Sequence, residues 1–424
     1  MKEAEVQINR VDWIAVSIYF ALVIIGWFNI YAVTYDSQVE KSIFDLSTSS
    51  GKQLVWIGTA IGLITLIMVA DYRFFENLSL IIYFIFLLIL IVTPIFGKEV
   101  NGQILSIGVG EFRIQPGEFA KFATALALAK VMERPTFDLS KRNYQAIAFG
   151  VLLVPIALIL LQPDTGTAMV YFSLLIMFYR EGLPQWYYVL GIGSVSITLL
   201  ALGVDNNLYL AAIIILVVGG LIYLGKKSWQ RILAFSLIGI GLITYIYSID
   251  FVVSKLPPHQ QNRIMVLFNP DIDPLGVGWN VTQSKIAIGS GGFFGKGYLE
   301  GTQTKFDFVP EQDTDFIFCT LGEEFGWMGS FVVISLFAGL LYRLVIMAER
   351  QKTRFSRIYG YGVVSILLFH FMVNIAMTIG LFPVVGIPLP FFSYGGSSLW
   401  SFTVLLFIFI KLDSSRATQL GRIS

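Results

Sequence analysis

Apolar residues in this chain come in long runs, and polar residues gather in short clusters between them. Twelve runs can be marked, at 13–33, 53–70, 78–96, 118–132, 145–161, 166–179, 186–203, 208–224, 231–248, 315–347, 358–381 and 397–411. A helix of about 20 apolar residues crosses the roughly 30 Å of bilayer hydrocarbon. The pattern therefore predicts an all-α, polytopic membrane protein formed as one integral-membrane domain over 1–424. The fourth run is short and polar at its start. The tenth is longer than one crossing needs, so a bend is expected near Gly326 and Gly329. The first is too long for a signal-peptide core and has no small-residue cleavage site, so it reads as a retained helix.

Charge supplies the orientation. Of the 29 Lys and Arg, 19 fall in alternate connections that share one side, 9 fall on the other, and Lys121 lies within a run. Positive connections stay in the cytoplasm, which places both termini there. One connection then stands apart. Residues 249–314 face outward and are rich in Gly, Pro, Asp and Asn, with Ile264, Val266, Leu267, Phe268, Ile286, Ile288, Phe293 and Phe294 interleaved. Long loops are commonly functional, and the apolar residues predict a folded loop on the outer surface.

Composition narrows the class further. The chain is 56% hydrophobic and 13% charged, where a soluble domain carries about 25% charged residues. A net charge of +1 argues against nucleic acid as a ligand. The single cysteine, Cys319, excludes an internal disulfide and a cysteine-based zinc site, and reads as a packed residue. His259 and His370 are too far apart in sequence to form a metal-ligand pattern.

Five polar stretches carry candidate chemistry. The densest is Asp307 to Asp315, with Glu311 and Asp313 between, ending where an apolar run begins. Asp315 there is either a helix cap or a general base at the water–lipid boundary, its pKa set by burial and neighbouring charge. Glu323 and Glu324 follow roughly 12–13 Å further along a helix, at a depth where carboxylates need partners or a polar cavity. Glu118 and Lys121 lie three apart on one helix face: a buried structural ion pair, or a cation placed for a phosphate. Asp164, in a tight turn at 162–167, either caps the following helix or belongs to a site. The glycine run 289–297, with Lys296, has no Walker spacing and no preceding strand, so a nucleotide site is rejected. Its amides could cradle a pyrophosphate, or it is a flexible loop. Finally, 383–398 brings three prolines, three glycines and Ser393 to the membrane boundary. Such backbone is tolerated there only when buried in protein or lining a wet cavity.

These stretches resemble the SEDS family (shape, elongation, division, sporulation) over nearly the whole chain. The resemblance rests on QPGEFAK at 115–121, QPDTGT at 162–167 and DPLGVGWNVTQSKIAIGSGG at 273–292. It rests equally on VPEQDTDFIF at 309–318, GEEFGWMG at 322–329 and GLFPVVGIPLPFFSYGGSS at 380–398. The DPLG and GIPLPF wording is similar to members serving elongation and rod shape rather than division. The resemblance implies a peptidoglycan glycosyltransferase of the inner membrane. It would polymerise lipid II and release undecaprenyl pyrophosphate, with membrane lipid around it and a class B penicillin-binding protein (a transpeptidase) as partner. It matches Asp315 to the family's essential aspartate, and Glu118, Lys121 and Asp164 to supporting positions. Lys296, Glu311, Asp313, Glu324 and Ser393 are further supporting candidates. Asp313 stands where the family usually has histidine. Beside Asp315 it could raise that group's pKa or help hold a divalent cation, Mg or Mn. The family arginine before QPGE has no counterpart among Asn101-Gly102-Gln103-Ile104-Leu105. The family has ten transmembrane helices with seven before the large loop, against nine here, so an inserted hairpin is expected at 205–248. A lipid II flippase and a non-catalytic scaffold for the transpeptidase are the rival readings. Against the flippase, the chain has no internal repeat of the kind many transporters show.

Overall fold

The computed structural model describes residues 10–35, 42–100, 103–109, 112–204, 206–225, 228–274, 276–306 and 308–416. Asn101, Gly102, Asp205, Lys226, Lys227 and Asp307, which the sequence reading drew on, lie outside the described residues. In chain order the elements are α1 (Trp13–Thr34), α2 (Ser49–Val69), α3 (Tyr72–Phe96), β1 (Lys98–Val100), β2 (Gln103–Val109) and β3 (Phe112–Ile114). Then come α4 (Pro116–Met132), α5 (Arg142–Leu160), α6 (Thr165–Tyr171), α7 (Leu174–Arg180), α8 (Trp186–Gly203), α9 (Asn207–Leu224) and α10 (Trp229–Lys255). The chain closes with α11 (Pro258–Met265), α12 (Val277–Ser290), α13 (Thr302–Lys305), α14 (Ile317–Glu349), α15 (Arg354–Thr378) and α16 (Gly396–Ser414). They form two compact units, residues 1–183 with 280–424, and residues 184–279.

Each of the twelve apolar runs has become helix. Ten helices among the described residues are long and apolar enough to cross a membrane, and this is a multi-pass membrane protein. The other two runs differ for physical reasons. α4 has only 17 residues and is buried almost all round, with Ala120, Ala123, Ala125, Ala127 and Ala129 letting neighbours approach closely. The sixth run breaks at Phe172–Ser173, where the amides bond three residues back to Met169 and Val170, the tighter 3₁₀ pattern.

An all-α reading misses one piece. Between α3 and α4 the chain forms a small antiparallel sheet in the order β1-β2-β3, pairing Lys98 with Ser106 and Ile107 with Ile114. Strands this short carry little periodic signal beside membrane-length runs.

The expected bend lies at Gly326 in α14, with φ 62° and ψ −154°. A break inside a membrane helix strands backbone groups that must find other partners. The glycine run after α12 supplies them. The amides of Lys296 and Gly297 donate to the carbonyls of Glu323 and Glu324 (both 3.0 Å), while those of Trp327 and Met328 donate to Gly292 and Phe293 (2.9 and 3.1 Å). Close backbone contact explains the glycines. A Cβ on Gly291 or Gly295 would lie 2.0 Å from the carbonyl oxygen of Gly322 or Glu324. The run is therefore ordered rather than a flexible loop, because the amides at 296 and 297 close the gap in α14.

The stretch 249–314 is folded, as expected, though its start moves. α10 continues to Lys255, past the end of its apolar run, and the remainder holds α11, a 3₁₀ turn at Pro270–Ile272, α12 and α13. Within the second unit, α8 and α10 enclose Ala201, Ile246, Ile249 and Val253. Thr198 Oγ1 meets Tyr245 Oη at 2.8 Å, and Asn207 Nδ2 donates to Asp250 Oδ2 at 3.0 Å. In the first unit, Asp12 caps α1 and pairs with Arg343 (2.9 Å) and Arg350 (3.2 Å), which also binds Asp413. Burial pushes the Asp12 carboxyl up, but the Arg343 hydrogen bond, the Ala15 amide and the charges of Arg343 and Arg350 together outweigh it and hold it below the usual range.

Candidate active site

The segment before α16 positions the site. Pro383, Pro388 and Pro390 deny it a helix, and its carbonyls are met by polar residues of α15. His370 and Asn374, four apart and so on one face, are fully buried. His370 Nδ1 lies 3.1 Å from the Pro388 carbonyl, and Asn374 Nδ2 donates to the Ile387 carbonyl at 2.8 Å.

Against this segment lies the run Asp313–Ile317. The Tyr394 amide donates to the Asp313 carbonyl (2.9 Å), Ser393 Oγ to that of Thr314 (2.6 Å) and Asn374 Nδ2 to that of Asp315 (2.8 Å). From α1, Asn29 Nδ2 reaches the Ile317 carbonyl at 3.0 Å. Four carbonyls around Asp315 are thus held by donors from three separate parts of the chain. Its carboxylate is half-buried and faces Gly386 (φ 72°), where a Cβ would sit 3.2 Å from Oδ2. α14 begins at Ile317 with Phe316 as its N-cap, so Asp315 stands one residue before the capping position. The neighbouring Asp313 carboxylate accepts from Ser49 Oγ at 3.1 Å. Glu311 is exposed at a turn, with φ 56° and its carbonyl accepting from the amides of Thr314 and Phe316.

The same segment joins a second cluster. Lys121 Nζ bonds Glu118 Oε2 and His370 Nε2, both at 2.8 Å, and stands 4.7 Å from the centre of the Phe402 ring. Because His370 Nδ1–H points at a carbonyl, Nε2 is left to accept from the lysine, which fixes a neutral imidazole in one tautomer. Ser401 Oγ also donates to Glu118, at 3.4 Å. The ion pair is buried and both charges are engaged by protein partners. Asp164 caps α6 through the Thr167 amide (2.9 Å), as the cap reading expects, and also accepts from Gln115 Nε2 (3.2 Å). Its turn touches the same segment, since a Cβ on Gly166 would meet the Val385 carbonyl at 2.3 Å.

Lys296 joins neither cluster. Its ammonium binds Glu323 at 2.7 Å, and that fully buried carboxylate also accepts from the amides of Gln303 and Thr304 and from their neighbouring hydroxyls. Glu324 is buried beside it.

Next to Gln115 opens an apolar groove of about 900 Å³ between α2, α3, α4 and α16, lined by Leu63, Phe86, Phe119 and Trp400 and ending at Ile114 and Pro116. The residues that sequence reading missed are Asn29, Ser49, His370, Asn374 and Ser401. Three of them are single polar residues inside apolar runs, which is a usable signal in a membrane helix.

With this geometry in hand, comparison with known proteins identifies the architecture. The sequence model of the FtsW/RodA/SpoVE family, described as cell cycle proteins, matches residues 12–204 and 185–418. The chain belongs to this family. It is the same family as the SEDS proteins that the six motifs resemble. Relatives include the peptidoglycan glycosyltransferase RodA of Treponema pallidum (strain Nichols), 34% identical over 434 residues and covering 96% of this chain and 98% of that one. The peptidoglycan glycosyltransferase MrdB of Escherichia coli K12 is 33% identical, over 80% of this chain and 79% of its own. Among solved structures, one chain from work on the coordination of polymerization and crosslinking by a peptidoglycan synthase complex superposes with a TM-score of 0.68. It shares 25% identity, over 96% of this chain and 98% of that chain. The rod shape determining protein RodA of Thermus thermophilus shares the fold, at TM-score 0.62 and 24% identity over 96% and 97% of the two chains. The FtsW/RodA/SpoVE fold thus contains the Asp315 segment, the Lys121 cluster and the groove within one unit.

Proposed function

We infer that the chain is a peptidoglycan glycosyltransferase that polymerises lipid II into glycan strands during cell elongation, with Asp315 as the general base. The observation that carries the assignment of the base is the held backbone at Asp313–Ile317. It presents a half-buried carboxylate at the start of α14, facing Gly386. Asp315 accepts the proton of the acceptor sugar hydroxyl as that oxygen attacks the anomeric carbon of the donor. The bond to the pyrophosphate breaks, and undecaprenyl pyrophosphate leaves with the electron pair. A positioned base contributes about 10²–10⁴-fold to such a step. The prenyl tail lies in the groove lined by Leu63, Phe86, Phe119 and Trp400, whose apolar walls suit it.

A divalent cation, Mg or Mn, belongs to the same reading. Among the described residues no group of three His, Cys, Asp or Glu could hold one. Asp313 and Asp315 fit the other known arrangement, in which one or two carboxylates share magnesium with substrate phosphates. There the ion would offset the charge of the leaving pyrophosphate. Lys121 and Lys296 are engaged with Glu118 and Glu323, which strengthens the need for such a charge.

The positive-charge count supports cytoplasmic termini and an outward 249–314 loop. The partner is a class B penicillin-binding protein, supported by the similar chain studied within a peptidoglycan synthase complex. The hairpin α9–α10 is an insertion relative to the ten-helix core that the resemblance implies, supported by the nine apolar runs that precede the 249–314 loop where that core has seven.

The test uses the purified full chain and fluorescent lipid II. Asp315→Asn keeps size and capping capacity but removes the base, and polymerisation is expected to fall about 10²-fold or more. A folded Asp315→Asn protein that polymerises at the wild-type rate would remove the residue from the mechanism. Flipping of lipid II in liposomes without polymer would favour a transporter instead.

A further inference from the structure

We propose that Asn374 is a positioning residue for the reaction, clamping the Asp315 backbone to the Ile387 turn so that the carboxylate is held in a fixed orientation. The inference rests on Asp315 being the base. Asn374 lies on α15, one turn beyond His370, and its side chain is fully buried. Its Nδ2 donates at 2.8 Å to the carbonyl of Asp315 and at 2.8 Å to that of Ile387. Two carbonyl acceptors fix which end of the amide is nitrogen, and both of its N–H groups are used. One side chain therefore bridges two stretches of non-helical backbone that approach from opposite directions in sequence.

The bridge acts where orientation matters. Gly386, adjacent to one clamped carbonyl, faces the Asp315 carboxylate. Fixing Ile387 against Asp315 fixes the wall against which the carboxylate turns. The other tethers hold different carbonyls: Tyr394 that of Asp313, Ser393 that of Thr314 and Asn29 that of Ile317. Asn374 alone among these donors takes hold of the carbonyl of Asp315 itself. Its Oδ1 is buried with no partner among the described residues. An apolar isostere would leave the carbonyls of Asp315 and Ile387 without this donor, so the stability cost is read separately from kcat.

A misplacement of about 1 Å at a reacting group can cost about 10²-fold in rate. Asn374→Ala is accordingly expected to lower kcat for lipid II polymerisation by about 10- to 100-fold, with KM within about twofold of wild type. Heat stability in detergent should identify a folded variant. The double variant Asn374→Ala with Asp315→Asn should be no slower than Asp315→Asn alone, because the clamp acts through the carboxylate. Should the alanine variant fail to fold, Asn374→Ser retains one donor and should show a smaller kcat loss with the same unchanged KM. Wild-type kcat in either folded variant, while Asp315→Asn is inactive, overturns the clamp and leaves the base in place. A kcat loss at Asn374 with full activity in Asp315→Asn overturns both. Additive losses in the double variant overturn the action of Asn374 through Asp315.

Discussion

α15 and α9 both cross the membrane, yet they are built on opposite rules. α9, Asn207–Leu224, has the higher hydropathy (2.3), and only 6% of its central window is buried; α15, Arg354–Thr378, has 1.7 and 67%. The better buried helix is the less apolar one. In water this would be a contradiction, but in lipid the exposed face is the one that must be apolar. α15 can therefore carry Ser356, Ser365, His370, Asn374 and Thr378 inside the protein, where each finds a backbone carbonyl or a neighbouring side chain. α9 has Ala211 as its one buried residue. Burial combined with polarity, rather than hydropathy, separates the helices that build the site from those that face lipid.

The comparison breaks first, if it is wrong, at the most buried charge. Lys121→Met leaves Glu118 in a protein interior with Ser401 as its remaining side-chain hydrogen-bond partner among the described residues. Removing one member of a buried ion pair costs about 3–5 kcal/mol. The expected outcome is a large fall in the heat stability of the detergent-solubilised protein, with polymerisation lost. Lys121→Met together with Glu118→Gln should recover much of the stability and little of the activity. A single Lys121→Met variant that melts like wild type would show that the cluster is wet and not part of the buried core.

A smaller effect is expected at the bend. Gly326→Ala forces a side chain into φ 62°, ψ −154°, a region open almost only to glycine and costing about 1–3 kcal/mol otherwise. The new Cβ would also fall 2.4 Å from the Gly295 nitrogen. Lower thermal stability should come with faster proteolysis at 291–297, because the glycine run loses its seat. Stable protein with unchanged proteolysis would mean that the run does not depend on the break in α14.

How much of this could be read beforehand follows from the length scale of each feature. Membrane-length runs announced all twelve helical segments, and the glycine pair at 326 and 329 announced the bend. Asp315, Glu118, Lys121 and Asp164 were legible because each stands in a polar stretch against an apolar background. The sheet at 98–114 was not, since three- to seven-residue strands give no period strong enough to notice. The ion pair of Lys296 with Glu323 was not legible because the two are 27 residues apart, and the break that orders the glycine run is tertiary. His370 and Asn374 were visible as letters, but their partners at Pro388, Ile387 and Asp315 come together only in the fold.

Intermediate between these variants and silence is the hairpin. α10 is one helix to Lys255, so a clean excision spans 205–255 rather than 205–248. Joined by a short linker, the remaining chain should keep measurable lipid II polymerisation, since the residues of the Asp315 and Lys121 clusters all lie outside it. A folded, monodisperse deletion protein with no activity would show that the hairpin has become part of the catalytic machinery.

The smallest effect sharpens the comparison most directly. Leu216 in α9 is 75% exposed, and its side chain exchanges one apolar surround for another on folding in lipid. Lipid tails are as apolar as leucine, so no hydrophobic transfer term is lost when it is shortened. Leu216→Ala should therefore change stability by no more than about 0.5 kcal/mol, the range of featureless surface positions. Leu405→Ala in α16, where the side chain is buried, removes packed methyl groups and should cost about 2–5 kcal/mol. Thermal melts of the two variants in the same detergent measure the contrast with one chemical change held constant. If Leu216→Ala destabilises as much as Leu405→Ala, then α9 packs against protein in the assembled state, and its exposed face is a binding surface rather than a lipid-facing one.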